Sequence, residues 1–129
     1  VYPPAWLIGR QALNDITLSD YRITAGTVIL MPTFIIHRDP RWWPNPEQFD
    51  PERWAADAPS DRPKFAYFPF GGGTRLCVGD QFAWMEVVLL LATIAQRWKL
   101  KHDPSHVVEP EALLTLRPRY GMRMEMIRR

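Results

Sequence analysis

One stretch of the chain has the pattern of a long helix. Residues 80 to 100 contain neither glycine nor proline, and apolar side chains recur in them at the three- and four-residue spacing of one helix face. Acidic residues near the start and basic residues near the end match the helix dipole. We expect this helix to be largely buried. Its broad apolar face consists of Phe82, Ala83, Val87, Leu90, Leu91, Ile94 and Trp98.

Short apolar runs separated by turn residues precede the helix and predict strands. Two three-residue runs, 16–18 and 21–23, flank a Ser-Asp turn, and a β-branched run over 27–30 follows. The opening segment, 1–8, is apolar and extended, because its proline pair excludes a helix. A short helix is expected over 33–37.

Prolines dominate the region between these strands and the long helix. Seven of the 13 prolines lie between residues 38 and 69. Each proline fixes its own φ and removes a backbone donor, so this spacing excludes any long regular element. We expect a meander that packs through four aromatic side chains. They are Trp42, Trp43, Phe49 and Trp54.

The residues after the helix predict a C-terminal β-hairpin. Residues 112–116 form an apolar run, and residues 122–128 alternate between methionines and polar side chains with few exceptions. The Arg-Tyr-Gly sequence at 119–121 separates the two runs, so we expect the turn of the hairpin there.

Composition excludes several classes of protein. The 129 residues are 47% hydrophobic, which argues against intrinsic disorder. The net charge of +2 comes from scattered residues, so no nucleic-acid partner is expected. The longest apolar run, 87–95, is about half the length of a membrane-spanning helix. The Val-Tyr-Pro-Pro start resembles neither an initiator nor a signal peptide, and predicts a fragment of a longer protein.

The single cysteine, Cys77, narrows the candidate chemistry further. One thiol cannot form a disulfide within the chain, a zinc ribbon or an iron–sulfur cluster. If Cys77 is functional, it acts as a nucleophile, a redox thiol or an axial ligand. The lack of disulfide potential fits a reducing compartment, and we expect a cytoplasmic protein.

The ten-residue string Phe-Gly-Gly-Gly-Thr-Arg-Leu-Cys-Val-Gly, residues 70–79, leads directly into the predicted helix. A helix N-terminus stabilises a thiolate at Cys77. Glycines on both sides allow the backbone to approach a flat ligand, and their N–H groups are available to the sulfur. Arg75 supplies a guanidinium for a carboxylate. These are the requirements of a haem-thiolate site.

This string resembles the haem-binding loop of the cytochrome P450 superfamily, Phe-x-x-Gly-x-Arg-x-Cys-x-Gly, and meets every fixed position. Phe-Asp-Pro-Glu-Arg-Trp at 49–54 is similar to the Pro-Glu-Arg-Phe element of that family, and His-Arg-Asp-Pro at 37–40 to the segment before it. Tyr-Pro-Pro at 2–4, followed by Arg10, resembles the segment after the family's Glu-x-x-Arg helix. That helix and the acid–alcohol pair of the distal helix are absent from these residues.

The resemblance implies the C-terminal portion of a mainly α fold with small β-sheets (α+β), without the N-terminal half of the catalytic domain. The implied regions are a β region over 1–37, a meander over 38–69, a cysteine loop over 70–79, a proximal helix over 80–100 and a C-terminal β region over 101–129.

The resemblance also implies roles for individual residues. Cys77 is the catalytic residue and the axial ligand of the haem iron, and Phe70 packs beside its sulfur. Arg75 and Arg10 pair with haem propionates, and Gly71, Gly73 and Gly79 fit the backbone to the cofactor. Arg53 is a structural partner of the Glu-x-x-Arg pair. Segments on the substrate side contain Ala5, Trp6, Leu7, Leu114 and Thr115. For His37, a hydrogen-bonded turn residue is a better interpretation than a metal ligand.

The implied function is that of a haem-thiolate monooxygenase. Its cofactor is haem b, and its electrons come from NAD(P)H through a ferredoxin, a flavodoxin or a flavin reductase. One atom of dioxygen enters a small apolar organic substrate. We expect the isolated chain to be inactive. The alternatives are a peroxygenase or isomerase on the same scaffold, a non-catalytic haem-binding remnant, and a proline-rich binding module without a cofactor.

Overall fold

A computed structural model describes residues 2–55 and 61–129. The chain forms two compact units, Val1–Pro69 and Phe70–Arg129. Each unit combines short antiparallel strand pairs with helical segments. No helix in the part of the chain that the structure describes has the length and apolar character that crossing a membrane requires.

Two strand pairs open the first unit. β1 (Ile8–Gln11) pairs antiparallel with β4 (Val28–Met31). β2 (Ile16–Leu18) pairs with β3 (Tyr21–Ile23), and this confirms the predicted strand pair. Ser19, in the turn between β2 and β3, has a φ of +51°, a left-handed conformation.

A short helix continues where β4 ends. Pro32 has no N–H for the strand ladder, and α1 (Thr33–Ile36) begins immediately after it, within the predicted range. The fully buried Thr33 hydroxyl donates a hydrogen bond to the Ala5 carbonyl, and the Phe34 N–H donates one to the Trp6 carbonyl. The N-terminal end of α1 therefore holds the extended segment that precedes β1.

The meander packs around Trp43. Its indole is buried and donates a hydrogen bond to the Ala66 carbonyl at 3.1 Å. The ring of Trp54 lies 5.4 Å from that of Trp43, centroid to centroid. Phe49 was expected in this packing and is instead 92% exposed, which is a correction to the prediction. Regular structure is limited to two 3₁₀ turns, Pro51–Trp54 and Lys64–Ala66, and residues 56–60 of the predicted meander lie outside the described residues.

The long helix of the second unit is α2 (Asp80–Arg97). The sequence predicted its end at residue 100, which is wrong by three residues. The backbone of Trp98 is extended, and β5 (Trp98–His102) begins there. β5 pairs antiparallel with β8 (Met124–Arg128), so a long-range strand pairing overrides the local helical pattern.

The predicted burial of α2 is also wrong within this chain. Its apolar side chains are exposed, for example Phe82 at 68% and Leu91 at 62%. The other regular elements that the structure describes in this unit are a 3₁₀ turn and two strand pairs, and none of them covers the apolar face.

The C-terminal hairpin differs from the prediction. β6 (Pro110–Ala112) pairs with β7 (Leu116–Pro118), so the hairpin turn lies at 113–115. Residues 119–121 connect β7 to β8, which do not pair with each other. The prediction failed because β8 has its partner in β5, a strand that the sequence pattern had assigned to the helix.

Candidate functional site

The cysteine loop, residues 70–79, is closed by its own backbone. The Cys77 N–H donates a hydrogen bond to the Phe70 carbonyl at 2.9 Å. Inside the loop, Gly73–Arg75 forms a 3₁₀ turn, and the Leu76 N–H donates to the Gly73 carbonyl at 3.1 Å. Cys77 is a free thiol and is exposed. The loop therefore presents the sulfur on an accessible surface of the second unit.

Two of the loop glycines have left-handed backbone conformations. Gly71 has a φ of +76° and Gly73 a φ of +67°, where other residues are strained. A Cβ atom on Gly73 would meet no other atom within 4 Å, so its requirement is conformational. Gly79 has an ordinary φ of −91°. A Cβ atom there would lie 3.8 Å from the Cys77 sulfur, an ordinary van der Waals contact.

The loop ends at the N-terminus of α2. Gly79 is the N-cap residue, and no side chain caps the helix. The Asp80 carboxylate accepts a hydrogen bond from the Gln81 N–H at 2.6 Å. Cys77 lies three residues before the first helical residue. The loop therefore places the thiol close in sequence to the positive end of the helix dipole.

Phe70 begins the loop and contacts an aromatic residue that the sequence pattern did not reveal. Phe70 is half-buried, and its ring centroid lies 6.4 Å from that of Trp84 on α2. The available signal was the position of Trp84 in the second turn of a helix that starts at the loop. Helical side chains lean towards the N-terminus, so a large ring at this position reaches back to the loop.

The two arginines predicted to bind propionates are both exposed, one in each unit. The Arg75 side chain makes no hydrogen bond or ion pair with any residue that the structure describes, so its guanidinium is available to a carboxylate. Arg10 lies on β1 and donates a hydrogen bond to the Gly9 carbonyl at 2.8 Å. Neither side chain has a carboxylate partner among the described residues, as a propionate-binding role requires.

Arg53 organises the meander. Its side chain is 14% exposed, donates to the carbonyls of Pro44 and Asn45, and lies 3.6 Å from the Asp50 carboxylate. Arg53 and Trp54 also line a cavity of about 480 Å³ in the first unit. The structure therefore gives Arg53 a structural position, and its predicted partner, the Glu-x-x-Arg pair, lies outside this sequence.

His37 is hydrogen-bonded, as predicted, and it is also buried, with 3% of its surface exposed. Its Nε2 atom accepts a hydrogen bond from the Phe68 N–H at 3.0 Å, and its ring lies 4.7 Å from the ring of Tyr67. Burial, with a contribution from Arg38, lowers the pKa of His37 to about 4. The residues that the structure describes contain no cluster of three or more metal-ligating side chains.

Arg38, for which the sequence predicted no role, joins three parts of the first unit. Its guanidinium carbon lies 3.8 Å from the centre of the Phe34 ring and 4.5 Å from that of Tyr2. Its Nε atom donates to the Glu47 carboxylate at 2.9 Å. The pattern that points to such a role is a charged residue directly after a short apolar helix, with a carboxylate nine residues later.

The predicted substrate-side residues fall in both units. Ala5 and Trp6 have their carbonyls held by α1, and Leu7 follows them as a half-buried residue. Leu114 is 97% exposed at the turn of the β6–β7 hairpin, where the Leu113 N–H donates to the Thr115 carbonyl at 3.3 Å.

Comparison with known proteins identifies the family. The family model for cytochrome P450 matches residues 1–124. The chain belongs to the cytochrome P450 family. Cytochrome P450 132 of Mycobacterium tuberculosis is 46% identical over 121 residues, which are 94% of this chain and 26% of that protein. Cyclooctat-9-en-7-ol 5-monooxygenase of Streptomyces melanosporofaciens is 40% identical over 104 residues, 81% of this chain and 23% of that protein.

Solved structures confirm the fold. Cyanobacterial CYP120A1 with bound retinoic acid superposes with a TM-score of 0.92 and 30% identity, over 98% of this chain and 30% of that one. The predicted fold class, the C-terminal portion of the P450 fold with small sheets and one long helix, is therefore correct. This P450 chain spans about a quarter of the length of the curated relatives it matches.

The cysteine loop fits a haem-thiolate ligand set. A haem iron of this type takes one cysteine thiolate, and the loop presents one exposed thiol. Gly73 and Gly79 place no side chains in the loop at their positions, and Arg75 offers a cation for a propionate. The donor set and the open surface are those that a flat macrocycle with acidic substituents needs.

Proposed function

We propose that this chain is the thiolate-bearing part of a haem-thiolate monooxygenase that oxidises small apolar organic molecules. The observation that carries the proposal is the complete cysteine motif on a loop that exposes its thiol, in a chain that belongs to the P450 family. Bound haem b supplies the activation of dioxygen, which delivers one oxygen atom to the substrate and one to water, with two electrons and two protons consumed.

The residues of the chain hold and shield this cofactor. Cys77 would hold the haem iron through its thiolate, with its backbone N–H committed to the Phe70 carbonyl. Phe70 covers the sulfur and restricts water there. Arg75 and Arg10 bind the propionates through charge-assisted hydrogen bonds. Gly71, Gly73 and Gly79 leave room for the close approach of the macrocycle.

An apolar substrate is supported by the segments proposed to face it. Ala5, Trp6 and Leu7 form one such segment, and Leu114 and Thr115 belong to the other. A relative is named for acting on cyclooctat-9-en-7-ol, and a structural neighbour holds retinoic acid. Both are small organic molecules, which is the class proposed here. The electrons come from NAD(P)H through a ferredoxin, a flavodoxin or a flavin reductase.

The first test is spectroscopic, on the full-length protein loaded with haem. Its reduced, carbon-monoxide-bound form should show the Soret band of a thiolate-ligated haem. Cys77→His, which keeps an iron ligand at this position, should bind haem and lose the thiolate-type band. A wild-type protein that binds haem without this band would overturn the assignment of Cys77.

Turnover separates the proposed reaction from its alternatives. Oxygen consumption that depends on NAD(P)H, a redox partner and substrate supports the monooxygenase. Product formation with peroxide alone would identify a peroxygenase. Haem binding with a thiolate-type band and no turnover under either condition would leave only a haem-binding role.

A further inference from the structure

Trp84 is the aromatic ring that meets Phe70 in the described part of the chain. The two ring centroids are 6.4 Å apart and the rings are tilted by 54°. This separation lies within the range of about 4.5–7 Å over which aromatic pairs attract each other. Trp84 is 54% exposed in this chain.

The same pair connects α2 to the backbone that surrounds the thiol. The Phe70 carbonyl accepts the hydrogen bond from the Cys77 N–H at 2.9 Å, so Phe70 and Cys77 close one loop. Trp84 lies in the second turn of α2 and leans towards the start of the helix, where the loop ends. The backbone of Phe70 is thus held by the loop, and its ring is contacted by the helix.

We propose that Trp84 is a positioning residue: it fixes the ring of Phe70 over the Cys77 side of the loop and so limits the access of water to the axial sulfur. The inference rests on the proposed function, and it adds a residue outside the cysteine motif that tunes the haem.

The expected direction of the change in the ferric–ferrous reduction potential follows from the formal charge of the haem core. With a thiolate ligand, the ferric haem core is formally neutral and the ferrous core carries one negative charge. Water near the sulfur stabilises the charged ferrous form more than the neutral ferric form, and hydrogen bonds to the sulfur act in the same direction. Loosening the Phe70 ring should therefore raise the reduction potential.

The experiment measures the ferric–ferrous reduction potential of the full-length, haem-loaded protein without substrate. Trp84→Leu should shift the potential to a more positive value, because leucine offers no ring to Phe70. Trp84→Phe keeps an aromatic partner and should shift it less. Met85→Leu is the matched control, because Met85 is the next residue on α2 and leucine has a similar volume and no aromatic ring. Its potential should equal that of the wild type.

A double-mutant cycle with Phe70→Leu tests whether Trp84 changes the reduction potential through Phe70. If Trp84 acts through Phe70, Trp84→Leu should cause little further shift in the Phe70→Leu background. A full additional shift there, or no shift from Trp84→Leu in the wild-type background, would overturn the proposal. The thiolate-type Soret band is recorded for every variant. Its absence from the wild type would refute the proposed function, and its presence without the potential shifts would refute only the role of Trp84.

Discussion

His37 shows how one buried side chain makes the stability of the first unit depend on pH. Its Nε2 atom accepts the hydrogen bond from the Phe68 N–H, so the folded state requires the neutral ring. Protonation would remove this acceptor and place a cation in a buried position beside the Arg38 guanidinium. Burial therefore lowers the pKa of His37 to about 4.

We predict that acidification weakens the fold through His37. A histidine in an unfolded chain has a pKa of about 6.5, so the unfolded state takes up the proton first as the pH falls. This group should lower the free energy of unfolding by about 2–3 kcal/mol as the pH falls from about 6.5 towards about 4. Urea unfolding of the full-length protein and of His37→Gln over this range measures it. The stability advantage of the wild type should shrink with acid, and an advantage that is independent of pH would contradict the prediction.

The glycines of the cysteine loop give a second test at single residues. Gly73→Ala should destabilise the protein by about 1–2 kcal/mol, because alanine is strained in the left-handed region. Gly79→Ala is the matched comparison. It meets no backbone strain at a φ of −91°, and its methyl group lies near the Cys77 sulfur. We expect thermal unfolding to respond to Gly73→Ala and the haem spectrum to respond to Gly79→Ala. The reverse pattern would refute this division of roles.

Among the structural elements, the meander has little regular backbone pairing, so its stability depends on the side chain of Arg53. Arg53 bonds two carbonyls and lies beside the Asp50 carboxylate. Arg53→Lys should cost about 1–3 kcal/mol, because a single ammonium group cannot reach all three partners. Arg22→Lys, at an exposed ion pair with Asp15, should cost less than about 0.5 kcal/mol. Chemical denaturation of the two variants compares these costs, and equal values would contradict the role assigned to Arg53.

The elements that the sequence predicted are those set by local chemistry. The β2–β3 pair is fixed by two short apolar runs and the turn at Ser19, and α1 by the proline that ends β4. The cysteine loop was predicted because its residues are contiguous. Local patterns could not predict pairings between distant segments. Trp98 and its neighbours continue the apolar spacing of α2, yet they form β5 because β8 pairs with them from about 25 residues away.

The site residues that the sequence did not reveal also depend on contacts that a local pattern does not contain. Trp84 was missed because the contact of its ring with Phe70 depends on how α2 leaves the loop. Arg38 was missed because one of its aromatic partners, Tyr2, lies far from it in the sequence, although the other, Phe34, is close. A sequence pattern identifies the residue types, and the fold decides which of them meet.

At the scale of the whole molecule, the apolar face of α2 points to the part of a P450 that this sequence does not contain. Side chains such as Phe82 and Leu91 remain more than half exposed. Exposed apolar area of this extent is unfavourable in water, and a larger P450 catalytic domain offers the surface to cover it. The chain spans about a quarter of the length of its relatives, which agrees with this interpretation.

We therefore predict that the 129-residue chain expressed alone is inactive and folds poorly. It should bind a fluorescent hydrophobic dye, unfold without a cooperative transition and fail to take up haem stoichiometrically, because apolar surface such as that of α2 stays in water. The full-length protein, measured in parallel, should show weak dye binding, a cooperative transition and one haem per chain. Changing Leu90 and Leu91 to glutamine tests the cause: it should reduce dye binding by the isolated chain and destabilise the full-length protein. Cooperative unfolding with stoichiometric haem uptake by the isolated chain would show that the segment carries a complete folding unit, and that α2 needs no cover.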